Sequence, residues 1–539
     1  MFADLFGDKV RDIVNGVQIS NTVYNGKRKI NIASENFMTA ENVLLAVKSL
    51  KTKNCEGHDT IPQRILTDGI EILKYPLTVL FNKIYTQKVI PEQWLISKIA
   101  PIHKKGNYNQ IGNYRPIANL CSASKIFERL ILLRIQAIEK KSNIDLTGKS
   151  QYGFKKGHST SIAGQRLQSV LARALDNNNF AIMSSIDLSA AFDVVNIELL
   201  IKRLIIIGLP NDIIDLLKLW LTERFYYVGL DSGNSYVRTS YTGTIQGSIL
   251  GPILYAMYVS PLLDLCKMTL FADDNYIIRF NSNLEALIND VKYSLEMIIK
   301  WLRDSGLKVN DAKTEACLFH RKDHAPVEVS INDINIVTSA SMNVLGVQFD
   351  SKLQWCKHIE TTIKKSKKAL QAIYLIRKYF NKKELLMLIT SNYYSILYYN
   401  ADIWLTPTLG PNAYKQLMSA SAAPLKLIHY NFDYYVSYER LHNICCRATP
   451  YQVAKYRHAL LLHKCYNDPL MRNDWLALNF NQNFNARCSS IFFFRTNRYK
   501  VGNNLLANRF SMLNGIITHD MLNLPFLQFK LKMKSLYLV

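Results

Sequence analysis

Three carboxylates in two short stretches have the types and spacing to hold divalent cations. Asp187 closes the apolar run 180–186, and Asp273 and Asp274 follow a second run, Met268-Thr269-Leu270-Phe271-Ala272, with Asp273 86 residues after Asp187. The second stretch continues as Asn275-Tyr276-Ile277-Ile278-Arg279-Phe280, so β-forming residues flank the paired acids as in a hairpin with a tight turn. Taken alone, Asp-Asp-Asn between strands also fits an ordinary solvated turn. Adjacent carboxylates repel, and each raises the pKa of the other unless a cation stands between them. If the two strands are neighbours in one antiparallel sheet, three carboxylates converge. An all-oxygen set of this kind suits Mg²⁺ or Mn²⁺, which keep waters and bind phosphates. Two such ions about 3.5–4 Å apart stabilise the attacking and leaving oxygens of an in-line phosphoryl displacement.

The elements that must position these acids are legible in outline. Apolar spacing predicts helices over 39–50, from about 124 to 139 (Ile126, Phe127, Leu130, Ile131, Leu133), up to about Leu175, near 211–224, and along Leu284 to Leu302 with Gly306 as the stop. A basic, β-leaning stretch covers 94–119, and a second covers 226–242. Phe180–Ile186 reads as a strand, after which a turn carries Phe192 and Asp193. Gly243-Thr244-Ile245-Gln246-Gly247-Ser248 is a loop whose Ser248 is placed to cap the apolar helix that follows. Short strands are expected near 315–319 and 343–349, and basic helices begin near Cys356, with Lys364, Lys365, Lys367 and Lys368 on one stretch.

Composition narrows the partners. The 539 residues are 48% hydrophobic with few Gly and Pro, enough to bury a large core divided over two to four domains. A net charge of +24 points to a polyanion, most often nucleic acid bound through its phosphates. The nine cysteines include no Cys-x-x-Cys pair, so free thiols in a reduced, intracellular protein are the expectation. His442, Cys445, Cys446, His458, His463 and Cys465 cluster, but their spacing fits no familiar zinc finger, and packed side chains are the simpler reading. The start carries acidic residues where a secretory signal needs basic ones, and the apolar run 248–259 is too short and broken to span a bilayer. A soluble protein with no membrane partner is expected.

Eight segments in order resemble the reverse transcriptases of non-LTR (LINE-like) retrotransposons, in the group that includes the jockey and CR1 elements. They are Gly57-His58-Asp59-Thr60-Ile61-Pro62, Asn113-Tyr114-Arg115-Pro116-Ile117, Gln151-Tyr152-Gly153-Phe154, Asp187-Leu188-Ser189-Ala190-Ala191-Phe192-Asp193, Gln246-Gly247-Ser248-Ile249-Leu250-Gly251-Pro252, Phe271-Ala272-Asp273-Asp274, Asn310-Asp311-Ala312-Lys313-Thr314 and Leu345-Gly346-Val347. The likeness is close over about residues 40 to 360 and looser beyond.

That resemblance implies an α+β right hand: an N-terminal extension over 1–55, fingers over 56–179 with part of the palm, an antiparallel-sheet palm over 180–350, a helical thumb over 351–430 and a basic, mainly helical C-terminal region over 431–539. It implies an RNA-directed DNA polymerase that uses two Mg²⁺ (or Mn²⁺) ions to add dNTPs to a DNA primer or nicked target on an RNA template. Asp187 and Asp273 would be the principal metal ligands, with Asp274 assisting. Phe192 would exclude a ribose 2′-hydroxyl by its bulk. Arg115 would grip the triphosphate, Gln246 and Gly247 would shape the loop beneath the incoming nucleotide, and Lys313 would protonate departing pyrophosphate. Gly346 would sit in a hairpin supporting the primer end, and Lys364–Lys368 would follow a duplex backbone. A nuclear site of action is implied by the resemblance alone.

The chain departs from the family at Ala190, where Lys is usual, and at Ile245, where many members have Pro. No endonuclease is visible ahead of the polymerase motifs, so the expectation is a truncated element, a fragment, or a polymerase whose nick comes from elsewhere. Two other classes stay open: a catalytically silent nucleic-acid-binding remnant, and a viral-type RNA-dependent RNA polymerase, which also uses a pair of acids in the manner of Asp187 and Asp193.

Overall fold

The computed structural model describes residues 2–15, 37–50, 56–222, 224–230, 233–331, 334–406, 409–428, 436–467 and 516–538, with Phe510 and Leu513. Cys55, Cys488 and residues 468–509 of the expected basic, aromatic tail lie outside the described residues. The fold is α+β, with antiparallel sheets and mostly helical structure, as expected. The chain divides into two compact units, each assembled from separated segments.

The first unit comprises residues 1–157, 186–276 and 293–314. Its sheet is built on β1 (Ile96–His103) and β2 (Tyr114–Asn119), an antiparallel pair in the register Ala100↔Ile117. β4 (Arg224–Leu230) runs parallel to β1, and the short β5 (Gly233–Asn234) and β6 (Arg238–Ser240) both pair with β4. Ile99, Ala118, Leu120 and Val228 form a small core under this sheet, and Tyr226 and Ile245 pack on it. A second core lies among helices, where the rings of Phe81, Trp94 and Phe127 stand 5.6–6.1 Å apart and Trp220 stacks on Phe127 at 6.2 Å. The helix Ser122–Ser142 buries Ile126, Phe127, Leu130 and Ile131 on the predicted face, with Leu133 half-buried at its edge. One helix, Ile197–Ile207, escapes the sequence reading, because its apolar run Leu-Leu-Ile-Lys-Arg-Leu-Ile-Ile-Ile does not separate strand from helix by periodicity.

The second unit comprises residues 158–185, 277–292 and 315–539. Here most of β3 (Phe180–Ile186) pairs antiparallel with β9 (Glu315–Phe319), with Ala181 opposite Phe319. The expected strand at 343–349 is a hairpin, β12 (Ser341–Val344) and β13 (Val347–Asp350), turning at Leu345-Gly346 with both residues at positive φ. A preceding antiparallel pair, β10 (Glu328–Ile331) and β11 (Ile334–Val337), is missing from the sequence reading although its burial alternates residue by residue. Helices follow from Cys356–Ile376 onward, and Trp355, Trp404 and Tyr393 are the largest fully buried side chains of this unit among the described residues. Among the described residues no helix is long and apolar enough to cross a membrane.

The strands that carry the acids share one four-stranded sheet, in the order β7-β8-β3-β9, with β7 at Met268–Phe271 and β8 at Asp274–Asn281. β8 and β3 are therefore direct neighbours. Both are central, which explains their near-continuous apolar character: Ala181, Ile182, Met183, Ile186, Tyr276 and Ile277 are all buried. Ile186, β7 and the first residues of β8, where the acids lie, belong to the first unit.

Candidate active site

β7 and β8 are joined by a two-residue turn, Ala272-Asp273. Ala272 adopts φ +58°, the positive value that the first position of a tight hairpin turn demands, and Asp273 is thereby raised at the tip with Asp274 opening β8. Asn275 ties this turn to the neighbouring strand. Its buried Nδ2 donates to the Asp273 carbonyl at 2.9 Å and to the Ile186 carbonyl at 3.2 Å. Asp187 follows Ile186, and its own carbonyl accepts from Asn310 N–H at 2.9 Å. One buried amide therefore fixes the Asp273 turn against the strand end that carries Asp187.

The charges in this corner act on one another. Burial pushes the Asp274 carboxyl up to about 6, and the charges of Asp273 and then Asp187 push the same way. The Asp273 side chain meets solvent at its tip, yet desolvation and Asp187 raise its pKa, while Arg115 and Lys313 act to lower it. Asp187 Oδ2 is buried without a hydrogen bond, and Lys313 Nζ stands 3.4 Å from it as an ion-pair partner. Three mutually repelling, oxygen-only groups, one with a buried unbonded oxygen, are what a divalent cation would satisfy. Among the described residues, no three His, Cys, Asp or Glu side chains are drawn together into a coordination shell.

Beyond Asp187 the chain turns at Ala190, at φ +51°, and Asp193 N–H donates to the Ala190 carbonyl at 2.8 Å. This turn presents the half-buried ring of Phe192, which rests 4.4 Å from the buried Tyr255 ring and meets Phe154 edge-on at 6.0 Å. Residues 242–246 clamp the turn from the other side. Thr244 N–H donates to the Phe192 carbonyl at 2.7 Å, and Gly243 N–H donates to the Val195 carbonyl at 2.8 Å. Thr242 Oγ1 donates to the Asp193 carbonyl at 3.0 Å, and Gln246 Nε2 donates to Asp193 Oδ2 at 2.8 Å. Burial lifts the Asp193 carboxyl to about 7, against the Gln246 hydrogen bond and the charges of Lys9, Lys104 and Arg224.

The Gln246-Gly247 pair is also held against β2. Ala118 N–H donates to the Gln246 carbonyl at 2.7 Å. Gly247 has φ +112°, and a Cβ there would lie 2.4 Å from the Ala118 carbonyl oxygen, so only glycine fits. Arg115 lies on the same strand, exposed, with its charge felt at Asp273. A cavity of about 650 Å³ opens beside Asp193 and Gln246, walled by β1, β2, β4 and the N-terminal helix Phe2–Asn15.

The helix Gly251–Val259 starts at this loop. Ser248 Oγ accepts from Gly251 N–H at 2.7 Å, the capping bond expected of it, although the formal cap position is Leu250. The remaining amides find a partner from afar. Glu128, fully buried on the helix Ser122–Ser142, accepts from Ile249 N–H at 2.7 Å and from Leu250 N–H at 3.0 Å. Burial lifts its carboxyl to about 7, opposed by those two backbone bonds.

The first unit thus brings together Asp187, Asp273, Asp274, Lys313, Phe192, Gln246 and Gly247, with Arg115 acting on the acids at longer range. Gly346 and the exposed Lys364, Lys365, Lys367 and Lys368 lie in the second unit. The C-terminal histidines find other partners: His442 faces the Arg447 carbonyl at 3.3 Å, His458 the Ala454 carbonyl at 2.8 Å, and His463 the Leu524 carbonyl at 2.8 Å. Sequence reasoning missed Asn275, Glu128 and Gln151 as positioning groups. Glu128 was legible, since it falls four residues after Ser124 on a face that is otherwise buried.

Residues 102–349 match the family described as reverse transcriptase (RNA-dependent DNA polymerase). The chain is 31% identical over 317 residues to the probable RNA-directed DNA polymerase from transposon X-element of Drosophila melanogaster, covering 56% of this chain and 34% of that protein. It is 28% identical over 362 residues to the corresponding protein of transposon BS (65% and 39% covered), and 27% over 339 residues to that of mobile element jockey (60% and 36%), both from the same fly. The chain spans between a third and two fifths of the length of these relatives. Among solved structures, apo telomerase from Candida tropicalis truncated from its C-terminal domain aligns at a TM-score of 0.34 and 16% identity, over 50% of this chain and 57% of that one. Residues 102–349 carry a reverse transcriptase domain, and the chain is similar to the RNA-directed DNA polymerases of the Drosophila transposons X-element, BS and jockey.

Proposed function

We propose that the chain is an RNA-directed DNA polymerase that extends a DNA primer with dNTPs on an RNA template. The observation that carries this reading is the adjacency of β3 and β8, with Asn275 joining the Asp273 turn to the strand end beside Asp187. Asp187 and Asp273 would hold two Mg²⁺ or Mn²⁺ ions, with Asp274 assisting. When bound, such ions supply charge neutralisation for the attacking 3′-hydroxyl and the departing pyrophosphate.

The chain's own residues supply position. Phe192, backed by Tyr255, sets a wall against the sugar 2′ side. Arg115 offers a planar, permanently charged donor to the triphosphate. Gln246 is committed to Asp193, so its contribution is to hold the loop and the Phe192 turn as one body. Lys313 Nζ, already beside Asp187, delivers a proton to the leaving pyrophosphate oxygen. We read 56–179 as fingers, 180–350 as palm, 351–430 as thumb with its exposed lysines on the nucleic-acid backbone, and 1–55 and 431–539 as flanking regions. The nucleus, where chromosomal primers lie, is the compartment this activity calls for.

The alternative is a silent nucleic-acid-binding remnant. Incubation with poly(rA)/oligo(dT), dTTP and Mg²⁺ or Mn²⁺ separates the two. Incorporation that disappears in Asp187→Ala supports the polymerase, and template binding without incorporation supports the remnant.

A further inference from the structure

We propose that Gln151 is a positioning residue for the Asp273 turn, holding that turn from outside the hairpin; this rests on the polymerase reading above. The segment 150–153 runs alongside β7 as a short parallel partner. Leu270 N–H donates to the Ser150 carbonyl at 2.9 Å, and Tyr152 N–H donates to the Leu270 carbonyl at 2.8 Å. From this edge the Gln151 side chain reaches under the turn. Its Oε1 accepts from Ala272 N–H at 3.1 Å and from Gly153 N–H at 2.8 Å.

Two details show that this contact is specific. Two backbone donors converge on one side-chain atom, so that atom must be the amide oxygen. The Nε2 group is consequently left buried without a hydrogen bond, in a side chain with no exposed surface. An orphaned buried donor is unfavourable, and a methionine of similar shape would avoid it while losing both N–H bonds. The amide is retained for its acceptor. Gly153 completes the fit: a Cβ there would lie 2.3 Å from Ala272 N, so glycine is needed for the backbones to approach this closely.

The consequence reaches the chemistry through Ala272. That residue holds φ +58° without being glycine, a conformation that neighbouring contacts must enforce. Gln151 bonds the amide of the strained residue itself, one position before Asp273. The same segment extends to Phe154, whose ring meets Phe192. Gln151 thus aligns the acid turn with the strand end at Asp187, without touching substrate.

The test is Gln151→Met, which keeps volume and removes the acceptor. Misplacing a reacting geometry by about 1 Å costs roughly a hundredfold in rate. The expected result is a kcat reduced by 10- to 100-fold for dTTP on poly(rA)/oligo(dT), with KM for dTTP and Kd for template–primer within about twofold of wild type. Mn²⁺ affinity, read by electron paramagnetic resonance of free Mn²⁺ without dNTP, should weaken in the same variant. An unchanged kcat, or a loss of kcat with unchanged Mn²⁺ affinity and parallel loss of template–primer binding, overturns the assignment. If the wild type incorporates nothing, the polymerase reading fails, while Mn²⁺ affinity still judges Gln151. If the methionine variant does not fold, Gln151→Glu replaces it, since a carboxylate can accept both N–H bonds. That variant should keep Mn²⁺ binding, and its loss overturns the assignment equally.

Discussion

Glu128 gives a stability prediction with a definite sign. Its carboxyl is buried at the start of the helix Gly251–Val259, where Oε2 accepts two backbone N–H groups and Oε1 has no partner. In the fold it titrates near 7, raised by burial from an ordinary value of 4.5. Between those values the folded protein keeps a proton that the unfolded chain has released, so stability falls as pH rises. The contribution is fully present below pH 4.5 and is lost as pH climbs through about 7. A gap of that width corresponds to about 3 kcal/mol. Glu128→Gln removes the titration and keeps one oxygen for the two amides. Urea unfolding followed by tryptophan fluorescence, run at intervals from pH 5 to pH 8, should show the wild type losing about 2–3 kcal/mol relative to the variant, the remainder of the loss lying below pH 5. Curves that stay parallel across this range, or a wild type that gains on the variant as pH rises, would refute the reasoning.

Two further substitutions probe the nucleotide side. Phe192→Val should raise ribonucleotide incorporation relative to dNTP by roughly 10- to 100-fold, since it removes a ring that now rests on Tyr255; unchanged discrimination would take Phe192 out of the sugar wall. Gly247→Ala forces a side chain into φ +112° and against the Ala118 carbonyl, both of them backbone features that cannot yield. A strain of about 1–3 kcal/mol should lower kcat/KM for dNTP by roughly tenfold or more, and kinetics equal to wild type would show that the loop does not shape the site.

Much of this arrangement was legible in the residues, for identifiable reasons. β3 and β7 are buried along most of their length, so their apolar runs stood out, and Asp187 and the Asp273-Asp274 pair marked where each run stops. The close backbone approaches at Gly247 and Gly153 came only with the structure. What sequence could not give was pairing over long separations. The bond from Asn275 to Ile186 spans 89 residues, that from Ala272 to Gln151 spans 121, and that from Ile249 to Glu128 also spans 121. Each is a single polar side chain in an apolar setting, which local periodicity treats as noise. The helix Ile197–Ile207 failed for the opposite reason, since an almost unbroken apolar run carries no clear period, and β10 and β11 do alternate but are only four residues each, too short to stand out.

The central claim is that Asp187 and the Asp273 turn act together on a nucleotide. It is tested most directly by measuring dTTP incorporation on poly(rA)/oligo(dT) with Mg²⁺ or Mn²⁺ for the wild type and for Asp273→Asn, which keeps the shape of the turn and removes one charge. The account predicts incorporation by the wild type, roughly a hundred- to a thousandfold less by the variant, and unaltered template–primer binding by both. Wild-type levels of synthesis by Asp273→Asn would contradict it.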